Sequence, residues 1–384
     1  MQTLLREELS EVESIYQSIK TQLADIRRLP ELKEMAQAIR NEINARIEDL
    51  EWIKLNLALM QPKRGMKLYK KFYTTTLRDL YTIKYRAVIL NRLVSIITYN
   101  THIKHNKKYI EATTALEKFV NNVKVHLKDV RKLKFYTFIE YEYSTITILD
   151  DYNVIAFCTP SYDILKPWKW TLLLHEIGHA MFNAKIDVFI MKFREKILPI
   201  LRDLAPSSIR TQVAAYLKLW EQEWLKEFIS DLYGVTVGGP AYTYAFMIEV
   251  FESDPAEYAS SHPSLDSRIY LQSRYLDEIK EIKEMVSEVE DIWYTHRDNI
   301  VAEELSYPFP QSALDELVYV FMDLMKKPVY PDLSDRVNEL RQQINRGIIV
   351  EASPLPLILA LTLSSNRRKK AVQQRIIKII AANH

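Results

Sequence analysis

The sequence predicts a mainly α-helical protein with one small β-sheet, and three observations carry that expectation. Only 6 of the 384 residues are glycine, where an average chain of this length carries roughly 27. Tight turns and hairpins consume glycine, so the deficit favours long helices. Apolar residues recur in steps of three and four along most of the chain, which is the spacing of one helix face. A single stretch, from Thr137 to Tyr162, departs from that spacing with β-branched and aromatic residues.

The elements follow in order. Leu5, Leu9, Val12, Ile15, Ile19, Leu23 and Ile26 define a first helix face. Pro30 cannot sit inside such a helix, and a second series running from Leu32 and Met35 through Ile53 to Leu57 begins directly after it. Two long helices joined at a sharp corner, a helical hairpin, are expected. Pro62 and Gly65 end this pair, and helical spacing resumes over about 66 to 99 and 106 to 134. Around Asp150, Asp151, Tyr152 and Asn153, turn chemistry separates two short strands. A helix from near Trp168 to about Leu204 comes next, then one from about Ser208 to Val237 that the Gly238-Gly239-Pro240 run stops. Further helices are expected over about 241 to 252, 264 to 297, 311 to 326, 333 to 347 and 355 to 382. This divides the chain into a helical region over 1–134, a core over 135–300 and a C-terminal helical region over 301–384 packing on that core.

Composition narrows the function classes. Lys and Arg total 52 against 50 for Asp and Glu, so no global field draws nucleic acid or anionic lipid, and no nucleic-acid partner is expected. The basic run Arg367, Arg368, Lys369 and Lys370 lacks interleaved aromatics and reads as a solvated helix face. Cys158 stands alone, which excludes an internal disulfide and a cysteine zinc site and suits a reducing, cytoplasmic setting. The N-terminal residues acquire acids at once and show no apolar core of a signal peptide. A membrane span needs about 18 or more apolar residues in a row. Ser353–Ser364 is too short for this, and Asn91 and Arg92 interrupt the stretch from Ala87 to Thr98, so no membrane span is expected.

The chemistry centres on His175-Glu176-Ile177-Gly178-His179, an HExxH motif on an expected helix with apolar flanks. Residues i and i+4 share a helix face, so both imidazoles reach one zinc ion, while Glu176 stands beside them as general base toward a water. A catalytic zinc takes three protein ligands and keeps one position open. Glu227 and Asp231, again at i and i+4, supply a third ligand and a carboxylate that accepts the free ring N–H of His175 or His179. One Zn2+ per chain is therefore expected. Downstream, His262 precedes Pro263 and a helix that carries Arg268. Both are candidate donors to a developing oxyanion, although Ser261 or Ser264 capping that helix would equally account for the segment.

Taken together, HEIGH, EFISD and HPSLDSRI in this order resemble the gluzincin metallopeptidases, most closely the branch of HtpX-like heat-shock proteases and CAAX prenyl endopeptidases. The resemblance spans about residues 140 to 275. It implies a zincin-like core, zinc held by His175, His179 and Glu227, water activation by Glu176, an orienting role for Asp231, and transition-state or structural roles for His262 and Arg268. It also implies a substrate-aligning strand ahead of the HExxH helix. That assigns the docking of a peptide to Asn153, Val154, Ile155, Ala156 and Phe157, or to the preceding 145–149. Those relatives are commonly membrane-embedded, whereas this chain has no adequate span, so a lipidated substrate is not carried over.

The expectation is a soluble zinc-dependent endopeptidase acting on a polypeptide substrate. Its N-terminal helices cover the cleft, select substrates or mediate self-association through their apolar stripe. The alternative is a non-proteolytic interaction protein in which zinc ties helices together, His262 supplies a fourth ligand, and the N-terminal hairpin binds a partner.

Overall fold

Helical spacing becomes helical structure along most of the chain in the computed structural model, which describes residues 2–26, 32–59, 66–103, 107–127, 134–140, 143–148, 154–207, 212–250, 257–279, 308–325 and 328–382. The expected corner at Pro30, the turn residues 150–153 and the continuation of a helix to 297 lie outside these residues. The fold class is as expected, mainly α with a small sheet. Two compact units are present, Met1–Lys107 with Ile146–Ala156, and Lys108–Thr145 with Phe157–His384.

Three long helices build the first unit: α1 (Gln2–Ile26), α2 (Lys33–Leu59) and α3 (Met66–Ile103). Each packs on the other two, so the expected hairpin is two arms of a three-helix unit. The α1 stripe buries Leu9, Val12, Ile19, Leu23 and Ile26. Tyr16 is also fully buried, and its hydroxyl donates to the Ile83 carbonyl at 3.1 Å. Lys84 of α3 donates to Glu8 and Glu11 of α1 at 2.8 and 2.7 Å, and Lys54 of α2 pairs with Glu13. The α1 stripe is thus covered within the unit by α2 and α3.

The second unit begins earlier than the expected boundary at 134. Helix α4 (Lys107–His126) belongs to it because its buried face is committed there. Phe119 meets Trp170 with ring centroids 6.3 Å apart, Lys118 Nζ donates to the Ala381 carbonyl at 2.7 Å, and Asn122 Oδ1 accepts from the Leu355 amide at 3.0 Å. The C-terminal helices belong to this unit as well.

The strands β1 (Lys134–Glu140), β2 (Ser144–Ile148) and β3 (Val154–Pro160) pair in the order β1-β3-β2. Every residue of β3 is buried. This corrects the peptide-docking assignment for Val154, Ile155, Ala156 and Phe157: β3 is the central strand, paired on both sides, so it has no free edge to receive another strand. Asn153 lies outside the described residues.

After β3 the chain enters a 3-10 turn at Pro167–Leu172, then α5 (Leu173–Ala184), α6 (Ile186–Lys192), a π-helical turn at Phe193–Ile197 and α7 (Leu198–Asp203). The single helix expected here is thus broken twice. Next come α8 (Val213–Leu219), a second π-helical turn at Trp220–Trp224, and α9 (Leu225–Gly238). Gly239, at φ 53°, ends α9 in a conformation that suits glycine. Pro240 then opens α10 (Pro240–Val250), as the GGP run implied.

The rest comprises α11 (Leu265–Asp277), α12 (Gln311–Met325), α13 (Ser334–Asn345), α14 (Pro354–Thr362) and α15 (Lys370–Ala382). The last expected helix is therefore two, separated at 363–369. Residues Leu355 to Thr362 are entirely buried, so the apolar run there serves the protein core. Among the described residues no helix is long and apolar enough to cross a membrane.

Helices α5 and α9 pack with their backbones in close approach. A Cβ added to Gly178 of α5 would lie 2.5 Å from both the Cα and the carbonyl oxygen of Ser230 in α9. No side chain can rotate away from a clash with backbone, so the helices themselves would separate. Gly178→Ala should cost about 3 kcal/mol, the upper end for overpacking, in chemical denaturation of the full chain. A loss below about 0.5 kcal/mol would contradict this account of the contact.

Candidate metal centre

The close approach at Gly178 sets α5 and α9 so that their polar residues meet inside an apolar shell. His175 and His179 lie one turn apart on α5 and meet edge to face, with ring centroids at 4.5 Å and planes at 82°. Glu227 and Asp231 face them from α9, and both are buried.

Hydrogen bonding decides which ring nitrogens point inward. A carboxylate only accepts, so the His175 Nδ1–H donates to Asp231 Oδ1, at 2.9 Å. Ser230 has one hydroxyl hydrogen, and it goes to the Lys226 carbonyl at 2.7 Å. The Ser230 oxygen must therefore accept from His179 Nδ1–H at 2.9 Å. Both Nε2 atoms are thereby turned toward Glu227. His175 Nε2 lies 3.3 Å from Oε2, and His179 Nε2 lies 3.5 Å from Oε1.

Asp231 is the most heavily bonded group of the site. Arg268 of α11 reaches it with two parallel bonds, Nε to Oδ2 at 2.6 Å and Nη2 to Oδ1 at 2.8 Å. Tyr242 of α10 donates its hydroxyl to Oδ1 at 2.7 Å. The Arg268 guanidinium also lies over the Phe246 ring, 4.6 Å from its centroid. Burial works against ionisation of Asp231, but Arg268 and His175 hold its carboxyl well below the usual range. Burial likewise opposes the charge on Arg268, and Asp231 more than offsets it, so the guanidinium stays protonated.

The two histidines are driven in opposite directions. Burial pushes His175 down, yet the bond and charge of Asp231 raise it to about 9. Burial and the charge on His175 push His179 down to about 3. Glu227 is disfavoured by burial but held at about 2 by His175, His179 and Arg268. Site electrostatics therefore favour an anionic Glu227 facing one positive charge.

Glu227 Oε2 is buried and has no hydrogen-bond partner. The nearest cationic neighbour of this oxygen is the His175 ring, with Nε2 at 3.3 Å, and a metal ion binding between them would take the place of the His175 proton. Two inward imidazole nitrogens beside such an oxygen are a donor set that fits a divalent metal with mixed nitrogen and oxygen ligands. His175, Glu176 and His179 also offer ligand atoms within 4.8 Å of one another. Glu176 is nearly buried, at 9% exposure.

The remaining candidates are placed as follows. His262 stands at the rim, with its side chain 60% exposed and Nε2 3.7 Å from Glu227 Oε2. Its loop is tied down by Trp224, whose Nε1 donates to the Ala259 carbonyl at 2.9 Å, while the Ala259 amide donates to the His262 carbonyl at 2.9 Å. Ser264, rather than Ser261, caps α11, accepting from the Ser267 amide. Of the two roles expected for Arg268, the geometry fits the structural one: its Nε and Nη2 both bond Asp231 and its side chain is 8% exposed.

Three site residues were not assigned from the sequence. Ser230 falls on the same face as Glu227 and Asp231, at i+3, and helical spacing alone marks it. Tyr242 lies just past the turn at Gly239, and its reach to Asp231 follows from that turn. The Trp224 anchor has no local signal. Compared with protein-family models, curated proteins and solved structures, the chain matches none of them.

Asp231→Asn keeps the shape and removes the charge, leaving Arg268 buried without its counterion. The expected loss is about 3 to 5 kcal/mol of unfolding free energy, measured by guanidinium denaturation. A change below about 1 kcal/mol would mean that the pair does not organise the site.

Proposed function

We propose that this chain is a zinc-dependent endopeptidase of the gluzincin type that hydrolyses peptide bonds of a polypeptide substrate. One observation carries the reading: the unpartnered Glu227 Oε2 beside the inward Nε2 atoms of His175 and His179. That triad matches the three-ligand set of a catalytic zinc and leaves room for a water. Zinc held there would acidify a water and polarise a scissile carbonyl.

The chain's own residues divide the remaining work. Glu176 shares the cluster of the two imidazoles. Its carboxylate takes a proton from the attacking water and returns it to the leaving amine. Asp231 keeps His175 in the tautomer that presents Nε2, and Ser230 does the same for His179. His262, exposed at the rim, is suited to donate toward the carbonyl oxygen as negative charge develops there. Arg268 and Tyr242 act through Asp231 and contribute no bond to substrate.

A second reading has one observation in its favour. His262 Nε2 at 3.7 Å from Glu227 Oε2 is close enough for a small loop movement to make it a fourth ligand, which would close the site into a structural zinc centre of an interaction protein. Glu176 weighs against this, because a closed structural site has no use for a carboxylate beside its ligands.

Glu176→Gln separates the two. The endopeptidase reading expects about one zinc per chain in both wild type and variant by metal analysis, and loss of unfolded-protein cleavage by about 100-fold or more in the variant. Zinc in both with cleavage in neither would favour the interaction protein. Cleavage undiminished in the variant would overturn the role of Glu176.

A further inference from the structure

Helix α3 carries apolar residues on two opposite faces. Leu80, Ile83, Ala87, Leu90, Val94 and Ile97 are buried and step by three and four along the face that packs on α1 and α2. A helix with its core face complete ordinarily turns polar side chains outward. Here Tyr81, Tyr85, Val88 and Tyr99 stand on the outer side, each more than half exposed. Apolar residues scattered singly over a surface need no explanation, but these four share one stripe.

The stripe has a regular period. Arg78, Arg92 and Ser95, all exposed, belong to the same series, so its positions run 78, 81, 85, 88, 92, 95 and 99 in alternating steps of three and four. Thr74, also exposed, extends it by one step of four at its start. A repeat averaging 3.5 residues keeps one stripe in contact as two helices wind about each other, which is the seam of a coiled coil. From 74 to 99 the seam is about 38 Å long at 1.5 Å per residue. It is a different face from the α1 stripe, which α2 and α3 cover.

We propose that this seam binds a second copy of the chain, α3 against α3, antiparallel about a two-fold axis that passes between residues 85 and 88. A two-fold interface needs a patch that complements itself when reversed, and this one does. Tyr85 meets Val88 of the second copy at the centre, an aromatic ring on a β-branched side chain where water is best excluded. Tyr81 meets Arg92 of the second copy, a cation–π pair. Farther out, Arg78 meets Ser95, which leaves room for the longer side chain, and Thr74 meets Tyr99. Each contact occurs twice, and no arginine meets an arginine.

Charge selects this orientation. Parallel pairing in register would set Arg78 on Arg78 and Arg92 on Arg92, and like charges facing each other across an interface are strongly unfavourable. The central valine also separates the stripe from a surface for single-stranded nucleic acid, which combines stacking rings with cations along its length.

Sedimentation velocity of the full chain over a concentration series measures the pairing. The disrupting variant is Tyr85→Glu with Val88→Glu, both at exposed positions, with melting temperature as the check on folding. Wild type should pass from monomer to dimer as concentration rises, and the variant should need about tenfold or more protein to reach the same dimer fraction. Orientation is read by a short bismaleimide crosslinker on Val88→Cys and on Ser95→Cys, since the native thiol of Cys158 is buried. Residue 88 lies about 4.5 Å along the axis from its own copy and residue 95 about 26 Å, so the first variant should crosslink to a dimer and the second should not. A chain that stays monomeric throughout, or a dimer that the two glutamates leave unchanged, overturns the interface. Equal crosslinking at 88 and 95 overturns the antiparallel pairing. A monomer that instead binds a single-stranded oligonucleotide, with that binding lost in the glutamate variant, overturns the second copy as the occupant. None of these readouts depends on the metal centre or on peptidase activity.

Discussion

The paired bonds from Arg268 to Asp231 are the interaction on which the centre depends. One buried carboxylate gathers four donors, from Arg268 twice, from Tyr242 and from His175, and so ties α11, α10 and α5 to α9. A buried ion pair is weak evidence for net stability, since desolvation offsets much of the attraction. Its value here is orientation. With Asp231 held on both oxygens, His175 has one tautomer and one direction for Nε2, and the ligand face of α5 is aimed before any metal arrives.

Glu227, one turn earlier on the same helix, is treated in the opposite way. Asp231 has more donors than a carboxylate usually finds, while Glu227 Oε2 has none. Two acids four residues apart thus have different jobs, and the difference lies in which neighbours the tertiary structure brings to each.

Much of this was legible in the sequence because helical spacing is a local signal. The i, i+4 pairs His175/His179 and Glu227/Asp231 share a face wherever the helix sits, and the stop at Gly239-Pro240 follows from backbone chemistry. The α1 stripe was legible as well, but its partner was not: coverage by α3 depends on tertiary packing. The run Val154 to Cys158 is apolar without alternation, which suits a strand buried on both faces; its central position, and with it the loss of a docking edge, depended on where β1 pairs. The first boundary was misplaced because α4 looks like its helical neighbours in composition, and only Phe119, Lys118 and Asn122 reveal what it packs against. The π-helical turns at Phe193–Ile197 and Trp220–Trp224 leave no mark in apolar spacing that separates them from α-helix.

The central claim is that the orphaned Glu227 oxygen and the two inward imidazoles form a metal site. It is tested most directly by a crystal structure of the protein grown with zinc, with anomalous data collected on both sides of the zinc edge. The account predicts a single strong anomalous peak in contact with His175 Nε2, His179 Nε2 and Glu227, with Asp231 still bound by Arg268 and not in contact with the ion. A map without that peak, in which a protein donor or an ordered water satisfies Glu227 Oε2, would contradict it.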